Sequence, residues 1–333
     1  MTAVFDPVMK EHLRRIKDHV TYTTYLGCKI QNELIQMLAS EVRKTILAKV
    51  RRAKYFSIIL DCTPDVSHKE QMSIVIRCLD DSESSTKVEE YWVQYLEVDD
   101  TSGLGIFMHI KNALVNLDLD INDIRGQGYD NGSNMKGRHK EGIILFLEEF
   151  REDGYDKAMV EAKEMTCEMG IEAVFQEKRV VRRKKNNLVK LQLTDDEVLL
   201  RSCKNLESSL THRGCSDISG DDLFSELTFL KCSLPREAKT TIDVVNYLKK
   251  MDGCFSNAQI AYKILLTIPV TVASAERSFS KLKLIKTFLR STMSEERLNG
   301  LAMLSIEKEV TEQLDYTDLI SIFSSKIVRR VAF

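Results

Sequence analysis

Apolar residues recur at helical spacing through residues 6–54. In "IQNELIQMLASEVRKTILAKVRR", Leu34, Met37, Leu38, Val42 and Ile46 form one stripe, with Lys and Arg opposite. The pattern then changes. "YFSIILDC" (55–62) is an almost unbroken apolar run, which predicts a strand buried on both faces. After the turn "TPDVS", Met72, Ile74, Ile76 and Cys78 alternate with Gln71, Ser73, Val75 and Arg77, as in a half-exposed strand. "VEEYWVQYLEV" (88–98) is rich in aromatic and β-branched residues and predicts a third strand. Three strands in close succession predict an antiparallel meander. Leu104, Phe107, Ile110, Leu114 and Leu117 share one helical face. "DIRGQGYDNGSN" (123–134) reads as a short, glycine-loosened strand ending in a turn, and "MKGRHKEGIILFLEEF" as a further helix. The order is β-β-β-α-β-α.

Residues 151–240 are charged, helical and irregular, and residues 241–333 are helical again. Pro269 separates "AYKILLTI" from a helix carrying Glu276, and Ser294 is placed to cap the helix that follows. The expected division is an N-terminal helical segment (1–54), an α/β core (55–150), a charged helical connector (151–240) and a C-terminal helical region (241–333).

With 43% hydrophobic residues, a chain of 333 residues can bury a sizeable core. Aromatics at 7% and 4 prolines suit a helix-rich protein better than a β-sandwich. A net charge of −2 leaves nucleic-acid binding to local patches. One such patch is Lys178, Arg179, Arg182, Arg183, Lys184 and Lys185, whose plainer reading is a solvated connector and whose functional readings are phosphate binding or nuclear import. The 8 cysteines include no CxxC pair and are expected to be reduced and mostly buried. The spacing of Cys203, His212 and Cys215 matches no structural zinc pattern. No apolar run is long enough to predict a membrane span. The expected location is nuclear or cytoplasmic, with the nucleus favoured.

Asp61 follows a buried apolar run, and Asp130 ends a later strand. If those strands are parallel neighbours, both carboxylates project from one edge of the sheet, where open α/β sheets place ligands. Two hard oxygen ligands suit Mg²⁺, and a third carboxylate from a helix would complete a two-metal site. Glu276 can supply it, lying about 60° round its helix from Phe279 and able to lean toward the buried face. The plainer alternative is that Glu276 suits the positive end of the helix. Asp61 reads equally as a turn-initiating residue before Thr63-Pro64. Gly126 and Gly128 do not complete a dinucleotide-binding loop, because Asn131 stands where the third glycine would fall.

"YFSIILDCTPDVSHKEQMSIVIRC", "LDLDINDIRGQGYDNGSNMKG" and "LLTIPVTVASAERSFSKLKLIKTFLRSTMSEERLNGLAMLSIEKE" resemble transposases of the hAT superfamily. The similarity is greatest to the zinc-finger MYM-type-like branch with a hAT C-terminal dimerisation region. It covers most of residues 6–145 and 200–325. The resemblance implies an RNase H-like fold, with three antiparallel strands and then a parallel one. It implies a metal triad at Asp61, Asp130 and Glu276, working or vestigial, that would hold Mg²⁺ or Mn²⁺. It also implies that Ala275, Phe279, Leu282, Leu298 and Leu301 are shared between the core and a partner's helices. The partner would be a second copy or a related hAT-type protein, with DNA as a further partner and neither membrane nor small-molecule substrate. The text between Asp130 and Glu276 is short for the family, so a fifth strand and a helical insertion are expected to be missing.

Two functions compete. One is a transposase-derived protein acting through dimerisation, with weak nucleic-acid binding and no transposition. The other is an active Mg²⁺-dependent DDE transposase or nuclease. A third reading is a fragment without a stable fold.

Overall fold

The computed structural model describes residues 7–19, 27–64, 70–81, 86–100, 103–129, 195–212, 215–235, 237–251, 253–286 and 293–331. Two helices open the chain, α1 (Pro7–Lys17) and α2 (Cys28–Ala53). The meander follows as β1 (Phe56–Pro64), β2 (Glu70–Asp80) and β3 (Lys87–Val98). Helix α3 (Gly103–Asn116) and a 3-10 turn at Ile121–Asp123 lead into β4 (Ile124–Tyr129). The sheet order is β3-β2-β1-β4, antiparallel except that β4 runs parallel to β1. The expected three antiparallel strands and one parallel strand are therefore present.

Helices α4 (Asp195–Leu210), α5 (Gly220–Ser233), α6 (Thr241–Lys250) and α7 (Ser256–Thr267) come next, with a two-residue strand pair between α4 and α5. The chain ends in α8 (Ala273–Ile285), α9 (Glu295–Ile306), the short α10 (Lys308–Glu312) and α11 (Tyr316–Val331). Ser294 caps α9 as its position predicts, accepting from the Arg297 amide.

Among the described residues, two hydrophobic clusters form. The larger takes Val42, Ile46 and Val50 from α2, the sheet's apolar residues, Ile106 and Ile110 from α3, and Ala275, Phe279, Leu282, Leu298 and Met303 from α8 and α9. The smaller joins α4 to α7 through Cys203, Leu223, Leu230, Leu248 and Ala258. On α2 the buried stripe lies further along than predicted: Leu34 is exposed, while Ala39, Val42, Ile46 and Val50 are buried. The first turns of α2 meet α9, and there the contact is close. A Cβ at Gly300 would stand 2.7 Å from Ile35 Cγ2.

The alternation in β2 is right for direction and wrong for exposure. Gln71 and Ser73 are 2% and 0% exposed, because α8 covers the face they occupy. The outer edge of β3 is closed by side chains. Asn299 accepts from the Tyr95 amide at 2.8 Å and donates to the Tyr95 carbonyl at 3.0 Å, as a neighbouring strand would. Glu307 accepts from the Trp92 amide at 2.6 Å. Helix α9 thus protects an edge that would otherwise be open to pairing.

Burial pushes the Glu307 carboxyl up to about 7, with Glu89 and Glu309 adding to the rise and the Trp92 amide opposing it. A carboxyl raised in the folded state binds more protons folded than unfolded, so its contribution to stability falls as pH rises from about 4.5 to about 7. Glu307→Gln keeps the acceptor without the charge. The melting temperature of the variant is expected to exceed the wild type's at pH 8, and the gap is expected to shrink by pH 5.

Candidate functional site

The site is built on one row across three strands. Asp61 of β1 lies opposite Ser73 of β2, and Ser73 lies opposite Tyr95 of β3. Directly paired residues point to the same face. Ser278 of α8 docks on this row: its hydroxyl hydrogen-bonds Ser73 Oγ at 2.7 Å, and its carbonyl accepts from Tyr95 Oη at 2.6 Å. The Phe279 ring stands 5.7 Å from the Tyr95 ring. Asp61 therefore projects from the face that α8 crosses.

The chain before α8 explains how the helix arrives there. Ile268 and Pro269 lie against β4 at its two glycines. A Cβ at Gly126 would sit 3.2 Å from Pro269 Cδ, and one at Gly128 would sit 3.1 Å from Pro269 Cγ. The glycines that fail as a dinucleotide loop have a different use, the close approach of another backbone. Arg77 adds a clamp, donating to the Leu266 carbonyl at 3.0 Å and pairing with Glu90 at 2.6 Å. The parallel register ends with Leu60 opposite Tyr129, so the linker delivers the first turn of α8 to the carboxyl end of β1 and β4.

Asp61 is half-buried. Glu276 is in the first turn of α8 and exposed to solvent. The expected lean toward the buried face is not seen, because Ala275, Ser278, Phe279 and Leu282 fill that face and Glu276 lies about 100° round from Ala275. An exposed glutamate in a first turn fits the helix dipole, and a ligand at the wet rim of a Mg²⁺ site has the same placement. Asp130 lies outside the described residues, as does the basic patch Lys178, Arg179, Arg182, Arg183, Lys184 and Lys185. Among the described residues, no three His, Cys, Asp or Glu side chains converge on a metal position.

The donor set nevertheless suits a hard cation in one respect. Gln71 Oε1 is sealed from solvent with no hydrogen-bond partner among the described residues, and so is Ser274 Oγ in the first turn of α8. Gln71 lies opposite Thr63, two residues along from Ser73, so it shares the face of Asp61. Sequence reasoning missed Gln71, Ser73 and Ser278. The alternation in "QMSIVIRC" was the available signal, since it set Gln71 and Ser73 together on one polar face.

Two family models match this chain. The model described as "ZMYM1/FAM200, RNase-like domain" matches residues 8–141, and the hAT family C-terminal dimerisation region matches residues 220–310. The chain is a hAT transposase-derived protein. The first match in this hAT-derived chain spans α2, the whole sheet and α3, and the second runs from α5 through α10. The dimerisation match starts at the N-terminus of α5, ahead of the position 241 expected from composition. Of the residues expected to serve dimerisation, Ala275, Phe279, Leu282 and Leu298 are buried in this chain's own core, and Leu301 is half-buried. Among the described residues, no helix is long and apolar enough to cross a membrane.

The cysteines divide more evenly than expected. Cys78 and Cys203 are buried and Cys62 is half-buried, but Cys28, Cys232 and Cys254 are exposed. Burial, reinforced by the Glu70 and Asp61 carboxylates, pushes the Cys62 thiol up to about 12, and burial does the same for Cys78. Only the thiolate is nucleophilic. Alkylation by iodoacetamide at pH 8, followed by peptide mass spectrometry, is expected to label Cys28, Cys232 and Cys254 well before Cys62 or Cys78.

Proposed function

We propose that this transposase-derived chain acts by self-association through its C-terminal helices, with weak nucleic-acid contact and without transposition. The observation that carries the reading is the match of residues 220–310 to a dimerisation region. The partner is a second copy or a related hAT-type protein. Exposed apolar side chains of this region are available to it: Phe229, Leu265, Val270 and Leu284 are 63%, 55%, 87% and 72% exposed. The short text between Asp130 and Glu276 supports loss of transposition.

Asp61, with Asp130 and Glu276, is proposed as the inherited cation-binding set. Asp61 on the α8-covered face supports this part of the reading. A Mg²⁺ or Mn²⁺ ion bound there would activate water for in-line attack on a phosphodiester. That chemistry defines the competing reading, an active nuclease.

Size-exclusion chromatography with light scattering is expected to give a dimer mass at micromolar concentration. A strict monomer overturns self-association. Purified protein with Mn²⁺ is expected to leave plasmid DNA intact. Nicking that is lost in Asp61→Asn would replace this reading with the nuclease.

A further inference from the structure

The sheet face under α8 carries buried polar groups without a hydrogen-bond partner among the described residues, Ser57 Oγ and Gln71 Oε1, and of the two only Gln71 is a close neighbour of Asp61. Gln71 is 2% exposed, and its Oε1 has no hydrogen-bond partner among the described residues. Burying an amide oxygen without a partner destabilises a fold, and an apolar residue at this position would avoid that loss. The position is not isolated. Thr63 lies directly opposite on β1 and Glu97 directly opposite on β3, so all three share the face of Asp61, Ser73 and Tyr95. Asp61 is the diagonal neighbour of Gln71, about 7–8 Å away between Cα atoms, which long side chains bridge. Ser274 Oγ, another orphaned oxygen, stands in the first turn of the helix that covers this face.

We propose that Gln71 is a further ligand residue of the Asp61 site, presenting its amide oxygen to a hard divalent cation. The proposal rests on the reading of Asp61 as a cation ligand, and it adds a neutral oxygen donor from the neighbouring strand. The chemistry is consistent: Mg²⁺ and Mn²⁺ take carboxylate, amide carbonyl and hydroxyl oxygens together with water. A buried oxygen beside a carboxylate lowers the desolvation cost of the ion without adding a second negative charge. The arrangement also relocates the inner part of the site. Gln71 is buried on the sheet face that α8 crosses, while Glu276 is exposed to solvent in the first turn of that helix.

The test is a titration of the full chain with Mn²⁺ alone, followed by electron paramagnetic resonance. Wild type, Asp61→Asn, Gln71→Leu and Gln71→Glu are compared, with thermal melts of each in EDTA. Gln71→Leu is expected to weaken Mn²⁺ binding by about tenfold or more, in the range seen when groups supporting a metal site are removed. Its melt in EDTA is expected to be as high as the wild type's or higher, because the orphaned oxygen is gone. Gln71→Glu is expected to bind Mn²⁺ more tightly than wild type and to melt lower without it. Asp61→Asn is expected to lose binding. If Asp61→Asn loses binding while Gln71→Leu and Gln71→Glu bind as wild type does, the role of Gln71 is overturned and the Asp61 reading stands. If wild type binds no Mn²⁺, both fall. If Gln71→Leu melts early but binds Mn²⁺ normally below its melt, Gln71 is a packing residue and the proposal fails.

Discussion

The seat of α8 on the row Asp61–Ser73–Tyr95 is the contact on which the rest of this structure depends. Ser278 makes it with both its hydroxyl and its carbonyl, and Phe279 extends it by packing on Tyr95. A helix that is held by backbone and side chain together cannot slide along the sheet without breaking buried hydrogen bonds. Such breaks are expensive, because the freed groups have no water to turn to. The same contact buries the second face of β2 and sets what lies above Asp61.

That seat also joins the ends of the chain. The core of the RNase-like region is not closed by its own residues. Helix α8 covers one face of the sheet, and α9 lies along both α2 and the free edge of β3. Gln36 donates to the Glu296 carbonyl, and Arg297 bonds Asn32, so the N-terminal and C-terminal helices are fastened by polar contacts as well as by Gly300 against Ile35. The smaller helical cluster is tied to the same body by ions. Asp81 pairs with Lys263, and Asp217 pairs with Lys54 and Arg125. The two regions matched by separate family models therefore share one hydrophobic core. Losing α8 and α9 would uncover the sheet, so the dimerisation region is a structural component of the RNase-like unit.

The polar residues inside this body are of two kinds. Asn299 and Glu307 replace a missing strand and find partners in the amides of β3. The cost of burying Glu307 appears as a raised carboxyl pKa. Gln71 has no such partner among the described residues, and its position beside Asp61 is where a ligand-binding fold would tolerate that loss.

Periodicity alone determined the strands, their succession and most helices. The period of two in "QMSIVIRC" is that of a strand, the apolar run "SIIL" reads as one by its shortness and the turn residues after it, and Pro269 and Ser294 mark helix boundaries by backbone chemistry that acts locally. Only the tertiary structure decided which polar faces are buried. Ser73 and Gln71 look solvent-facing in the sequence because the helix covering them lies about two hundred residues further on. The use of Gly126 and Gly128 was hidden for the same reason, since the proline that needs their bare backbone, Pro269, is also far away in the chain. Glu276 went the other way: its neighbours in sequence suggested a buried lean, and the packing of Ala275, Ser278 and Phe279 turned it to solvent. Local chemistry is written in neighbouring residues, whereas burial is a property of surfaces that meet only after folding.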